Sequence, residues 1–253
     1  MLRITDARTG EPAEIRRALT RVHAHVPRND ASALRVLLVA DVLARALELG
    51  GSPVLLVADP PSALRERADD LGIRPSEAVG TRGGQRVLHV VGGGSRFGSG
   101  YGSGSGSGAS VGDDTAGITD TSDTEVTVEV APVVGPEESA ASGASLRLAL
   151  LTRPRRTPVN LDAAALAEAV DALDHWRKAV AAWATKPSRP VPDDARQALR
   201  AAWEDDLDVV AVLGVLRDVE KAEEVPDGAR FETYAYADRL LGLELTREIG
   251  ASA

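Results

Sequence analysis

A glycine-rich segment at residues 92–108 divides the chain and limits what it can fold into. The segment reads GGGSRFGSGYGSGSGSG and contains nine of the 24 glycines in the 253-residue sequence. Such a composition buries too little apolar surface to offset the entropy that is lost on ordering. We therefore predict a disordered tether over residues 98–122. A phosphate-binding P-loop is excluded here, because that motif needs a lysine and none precedes Lys178.

The region before the tether alternates between strand and helix patterns. The expected elements are strands at 20–26, 53–58 and 86–91 and helices at 30–49 and 62–71. Asp30 or Ser32 can cap the first helix, and Gly50 can end it. Parallel strands joined by helices through short connections indicate an α/β fold. We predict a truncated Rossmann-like domain with a parallel sheet over residues 1–97.

The region after the tether is predicted to be mainly helical. Residues 125–130 alternate between polar and apolar side chains and are expected to add an edge strand, within a connector at 123–145. Further along, apolar side chains recur every three or four residues, with prolines between two of the runs. This pattern predicts an all-α helical bundle over residues 146–253.

Composition excludes several classes of function. The sequence has no cysteine, which rules out disulfides, thiolate-bound zinc, iron–sulfur clusters and cysteine nucleophiles. Acidic residues outnumber basic ones by 38 to 29, and only 3% of residues are aromatic. Both values argue against a protein that coats nucleic acid or stacks its bases. No targeting pattern or apolar run of about 20 residues appears, so we expect a cytoplasmic protein with no membrane contact.

Several strings in the sequence resemble the class I cysteinyl-tRNA synthetases, in the chain order of that family. Residues 34–50 resemble the helix that follows the family's first signature, HIGH, and residues 54–59 resemble its next strand. Residues 202–208 and 229–245 resemble two of its C-terminal helices. Further matches lie at 65–75, 146–152 and 158–162. The related mycothiol cysteine ligases share most of the same strings.

This resemblance implies a Rossmann-like domain of the HUP type, ATP as a ligand, and tRNA or a full-length synthetase as a partner. The catalytic residues of the family are nevertheless missing. The first signature would fall at residues 30–33, which read Asp-Ala-Ser-Ala, and the lysine-containing second signature, KMSKS, is absent. These groups stabilise the charge that develops on the phosphates of ATP. We therefore assign no catalytic residue and predict a degenerate nucleotide pocket. Its candidate residues are His23, His25, Asp30, Ser32 and Asp59.

The zinc site of that family is also incomplete. Its first cysteine would fall at His25, and the family's histidine-rich ligand string has no counterpart. A histidine can bind zinc, but the sequence offers no partner ligands for it. We therefore predict no metal site and interpret His23 and His25 as strand residues.

A cluster of arginines after the tether forms a second candidate surface. Four arginines lie within ten residues that contain no acidic side chain: Arg147, Arg153, Arg155 and Arg156. In the resembling synthetases this region leads into the domain that contacts the tRNA stem, which makes these arginines candidate tRNA contacts. The alternative is a solvated loop before the helices. Asp205, Asp206 and Asp208 similarly suggest either a cation site or, more simply, the exposed face of a helix.

The sequence therefore favours a synthetase-like protein that has lost catalysis and acts as a nucleotide-fold, tRNA-binding or regulatory module. Two alternatives stay open. One is a residual ATP-dependent cysteine ligase, joining cysteine to tRNA or to an amine, that needs a partner protein. The other is a protein–protein scaffold.

Overall fold

The computed structural model describes residues 1–78, 86–93, 125–135 and 143–250. The predicted tether at 98–122 lies outside the described residues. The strands are β1 (Arg3–Thr5), β2 (Pro12–Glu14), β3 (Thr20–His25), β4 (Val54–Val57), β5 (Arg86–Gly92), β6 (Glu125–Val130), β7 (Val133–Val134) and β8 (Val159–Asn160). The helices are α1 (Ala31–Leu49), α2 (Ser62–Asp70), α3 (Gly143–Leu151), α4 (Ala163–Trp183), α5 (Asp193–Glu204), α6 (Val209–Lys221) and α7 (Asp227–Leu241).

A parallel sheet with the order β4-β3-β5-β6 forms the centre of the α/β region, and helices follow it. This arrangement confirms the predicted fold class. One further parallel bridge joins Val57 to Glu77, beyond the outer edge of β4. Taking Glu77 as a minimal strand, the sheet follows the 3-2-1-4-5 order of Rossmann-type folds. The direction in which the chain adds strands therefore reverses between β3 and β5.

Helix α1 joins the sheet to the helical region. It follows β3 and is capped by Asp30, whose carboxylate accepts a hydrogen bond from the Ala33 N–H at 2.7 Å. One side of α1 packs on the sheet, and another packs against α7. Most of its side chains are consequently buried, and a single continuous apolar core extends from the sheet into the helices.

The apolar repeat over residues 199–216, which the sequence predicts as one helical run, is in fact divided between two helices, α5 and α6. The helix is interrupted between them, where Asp206 and Leu207 adopt left-handed backbone angles of φ 54° and 59°. Asp208 caps α6 by accepting a hydrogen bond from the Ala211 N–H at 2.9 Å, and Asp206 accepts one from the Thr5 N–H at 2.7 Å. The prediction that Asp205, Asp206 and Asp208 form an exposed helix face is therefore wrong.

A buried ion pair fixes α1 relative to the helices that follow. Asp41 of α1 and Arg147 of α3 have fully buried side chains, and their Oδ2 and Nη2 atoms are 2.7 Å apart. Arg45 and Arg74 each place Nε 2.9 Å from the same carboxylate. Arg147 also donates to the Leu241 carbonyl at the end of α7. Four charged groups thus hold three helices and a loop together.

The Asp41→Asn variant should be strongly destabilised, because it leaves the Arg147 guanidinium buried without its counter-charge. We expect a loss of about 3–5 kcal/mol in the free energy of unfolding, measured by urea denaturation at pH 7. Asp171→Asn, on the exposed side of α4, is the matched control and should change stability by less than about 0.5 kcal/mol. A similar small change in both variants would contradict the role of Asp41 as the counter-charge of the buried Arg147.

The difference in the free energy of unfolding between wild type and Asp41→Asn should also depend on pH. Burial alone would raise the pKa of the Asp41 carboxyl, but the charges of Arg147 and Arg45 and hydrogen bonds from Arg147 and Arg74 hold it below its ordinary value of 3.8. The stabilisation is therefore complete well above pH 3.8 and is lost as pH falls through the folded-state pKa. Urea denaturation should show wild type and Asp41→Asn converging in that acidic range, whereas a constant difference would contradict this account.

Candidate functional site

The register between β3 and β5 places three histidines on one face of the sheet. In β3, Val22 and Ala24 are buried in the core, so the alternating residues His23 and His25 lie on the opposite face. The parallel pairing aligns His23 with His89 of β5. Since aligned residues in neighbouring strands share a face, His89 joins the other two. We refer to His23, His25 and His89 as the histidine cluster.

The three imidazole rings of the histidine cluster are in contact. Nε2 of His25 lies 2.9 Å from Nδ1 of His89. The centroid of the His25 ring is 4.0 Å from that of His23 and 5.1 Å from that of His89. One nitrogen from each ring lies within 4.8 Å of the other two. In the described part of the chain, no other three acidic or histidine side chains come together in this way.

The surroundings of the histidine cluster favour its neutral form. Burial lowers the pKa of His25 to about 4, helped by the neighbouring imidazoles of His23 and His89. Burial also lowers the pKa of His23, as do His89 and the positive charge of Arg21. The pKa of His89 falls for the same main reason, although Glu125 opposes the shift. These shifts favour neutral rings, each with one protonated nitrogen and one nitrogen lone pair. Between His25 and His89, one of the two facing nitrogens donates a hydrogen bond to the other.

The histidine cluster lies where open α/β sheets usually bind their ligands. Such ligands sit beyond the carboxyl ends of the strands, at the point where the strand order reverses. Here that point lies between β3 and β5, and His25 is the last residue of β3. His23 and His89 lie slightly deeper in the sheet, aligned with each other.

The other predicted pocket residues lie along the same edge of the sheet but have structural partners. Asp30 caps α1, and its carboxylate lies 3.2 Å from Nε of Arg28. The Ser32 hydroxyl accepts a hydrogen bond from the Val133 N–H at 3.0 Å. Asp59 follows β4, and its carboxylate lies 3.9 Å from Nη2 of Arg65, although its side chain is 77% exposed. Of the five predicted residues, the structure brings His23 and His25 into direct contact.

The predicted arginine surface is partly wrong. Arg147 is fully buried and paired with Asp41. The Arg155 side chain is also buried, where it donates to the Glu129 carbonyl at 2.8 Å and pairs with Asp206. Neither arginine can reach a nucleic-acid phosphate in this fold. Arg153 and Arg156 are exposed, and their contact with tRNA stays a prediction.

His89 is the site residue that the sequence reasoning missed. It is the fourth residue of its strand, as His23 is of β3. This equivalent position in two predicted strands is the one sequence signal that could have indicated that His23 and His89 are neighbours. It becomes informative only once β3 and β5 are known to be neighbours with their first residues aligned.

Comparisons with known proteins add no assignment. No protein-family model matches the chain, and no curated protein matches it in sequence. None of the helices in the described parts of the chain combines the length and hydrophobicity that crossing a membrane requires.

The Asp30→Ala variant should be less stable by about 1 kcal/mol, because the first turn of α1 loses the acceptor for its Ala33 N–H. Asp59→Ala removes an exposed carboxylate at the same edge of the sheet and should change stability by less than about 0.5 kcal/mol. Urea denaturation measures both. Equal losses would show that Asp30 does not act as a cap.

Proposed function

We propose that the protein is a cytoplasmic, catalytically degenerate relative of the cysteinyl-tRNA synthetases that acts as a non-catalytic ligand-binding module. One observation carries the proposal: the chain places its own carboxylate, Asp30, at the end of α1 that faces the ligand-binding edge of the sheet. An enzyme that activates an amino acid with ATP needs positive charge or hydrogen-bond donors there.

The scaffold supports the synthetase part of the proposal. Three of the strings that resemble the family fall on coherent elements: residues 34–50 on α1, residues 54–59 on β4 and the residue pair after it, and residues 229–245 on α7 and the turn that follows. The string at 202–208 instead spans the end of α5 and the break before α6. The Rossmann-like sheet precedes the helices, as it would in such a relative. Helix α7 packs on α1, and the helical region shares one apolar core with it.

The start of α1 supports the loss of catalysis. A free helix N-terminus attracts anions through its unpaired N–H groups and its dipole. Here the Asp30 carboxylate accepts the Ala33 N–H and lies beside Arg28. The Ser32 hydroxyl is engaged by the Val133 N–H. A triphosphate would therefore meet the negative charge of Asp30 and an Ala33 N–H that is already used.

The buried arginines favour a small ligand over tRNA. Arg147 and Arg155 are the two arginines of the candidate tRNA surface that stabilise the interior instead. A surface reduced to Arg153 and Arg156 releases few counterions on binding phosphates. The carboxyl edge of the sheet, with its half-buried polar groups, is the better place for a ligand.

Cysteine-dependent exchange of pyrophosphate into ATP tests the loss of catalysis. We expect the purified full chain to give no exchange above a protein-free blank. Isothermal titration calorimetry tests the retained binding, with ATP and with an uncharged sulfamoyl analogue of cysteinyl-adenylate as the two ligands. We expect heat from the analogue and none from ATP, because only ATP brings phosphate charge to Asp30.

Asp30→Ser provides the matched variant, since serine keeps an N-terminal cap but removes the charge. It should gain measurable ATP binding, and Asp59→Ser should not. Cysteine-dependent exchange by the wild-type chain would overturn the proposed loss of catalysis. Binding of neither ligand would overturn the ligand-binding role in favour of a protein–protein scaffold.

A further inference from the structure

We propose that His23, His25 and His89 form a binding site for a divalent first-row transition metal, with Zn²⁺ as the expected ion. This site is separate from the proposed loss of aminoacylation and does not depend on it. It departs from our sequence-based prediction of no metal site, which did not include the third ligand.

The chemistry of the donor set selects the class of metal. All three side chains of the cluster are imidazoles, which suit zinc, copper, nickel and iron better than magnesium or calcium. Three histidines with a fourth position open to water or substrate are also a known arrangement for catalytic zinc. The neutral imidazole is the form of histidine that binds a metal.

The geometry needs only a small adjustment to receive the ion. Zinc–nitrogen bonds of about 2.0–2.1 Å in a tetrahedron place the ligand nitrogens about 3.3 Å apart. Nε2 of His25 and Nδ1 of His89 share a hydrogen bond and already lie 2.9 Å apart, and the widest nitrogen separation in the cluster is within 4.8 Å. The proton between these two nitrogens moves to the other nitrogen of its ring when both bind the ion. Closing about 1.5 Å is within reach of ring rotations about the side-chain bonds. The paired strands hold the backbone of all three residues in place.

Neighbouring side chains on the same face are compatible with added positive charge. The strand register aligns Thr127 of β6 with His89, and Glu129 of β6 with Val91 of β5, which itself aligns with His25. Glu125, two residues before Thr127, raises the pKa of His89 through its charge. Arg21 acts in the opposite direction on His23 and His89, and Arg8 does so on His89. The two carboxylates offset the two guanidiniums, so this face carries no net positive charge that would repel a divalent cation.

Metal titration of the untagged full chain, stripped with a chelator beforehand, tests the site. We expect one equivalent of Zn²⁺ to bind in competition with a chromophoric chelator, and the same titration with Mg²⁺ to show no binding. Thermal unfolding should shift to higher temperature with Zn²⁺, because the ion binds the folded form. No binding of Zn²⁺ by the wild-type chain would overturn the proposal.

Single substitutions assign the ligands. His89→Gln and His23→Gln should each weaken Zn²⁺ binding by at least about 100-fold. Losing a residue that only supports a ligand weakens metal binding by about 10–100-fold, and losing a ligand itself should cost at least as much. The matched control is His175→Gln, which removes the one remaining histidine of the chain, an exposed residue paired with Glu220. It should leave the affinity unchanged. Unchanged affinity in His89→Gln, or a loss in His175→Gln, would contradict the assignment.

A measurement on the wild-type chain keeps the proposal testable if a substituted chain fails to fold. Co²⁺ in place of Zn²⁺ should give the intense visible absorption of a four-coordinate ion bound by nitrogen and water. An absorption as weak as that of six-coordinate aqueous Co²⁺ would contradict a site formed by the three histidines, even if some Co²⁺ binds to the protein.

Discussion

The parallel pairing of β3 with β5 is the constraint on which both the core and the candidate site depend. It aligns His23 with His89 and, on the alternate positions, Val22 with Leu88. The aliphatic residues close the core against α1, and the histidines therefore meet on the other face. Because side chains alternate along a strand, a shift of one residue would bury imidazole and expose the aliphatic residues. The interaction that stabilises the sheet thus also builds the histidine cluster.

Buried arginines hold the rest of the chain around α1. Arg147 pairs with Asp41, and Arg35, also in α1 and 1% exposed, donates to the carbonyls of Ala131 and Thr157 at 2.8 Å each. A buried charge is costly unless its partners are well placed, so these contacts fix the segments that they join. Because the Arg147 side chain is buried in these contacts, it cannot form part of an arginine surface that binds tRNA.

Local patterns in the sequence predicted the elements, and non-local contacts determined what the sequence could not predict. Alternation and helical periodicity gave β3, β4, β5, β6 and α1 close to their observed ends. The break at Asp206 was missed, because the tertiary contact with Thr5 supports it rather than a proline or glycine. The local sequence predicts Arg147 on the surface, whereas in the structure its side chain is buried between α1 and α7. His89 belongs to the site only through the register of two strands more than 60 residues apart in the chain.

The account that we propose is a catalytically silent Rossmann-like scaffold with a three-histidine metal site. X-ray absorption spectroscopy at the zinc edge, on the full wild-type chain with one equivalent of Zn²⁺, tests its central claim most directly. The account predicts a four-coordinate ion with three imidazole ligands, recognised by their multiple-scattering pattern, at about 2.0–2.1 Å. A spectrum with one imidazole or none, or with six oxygen ligands, would contradict it.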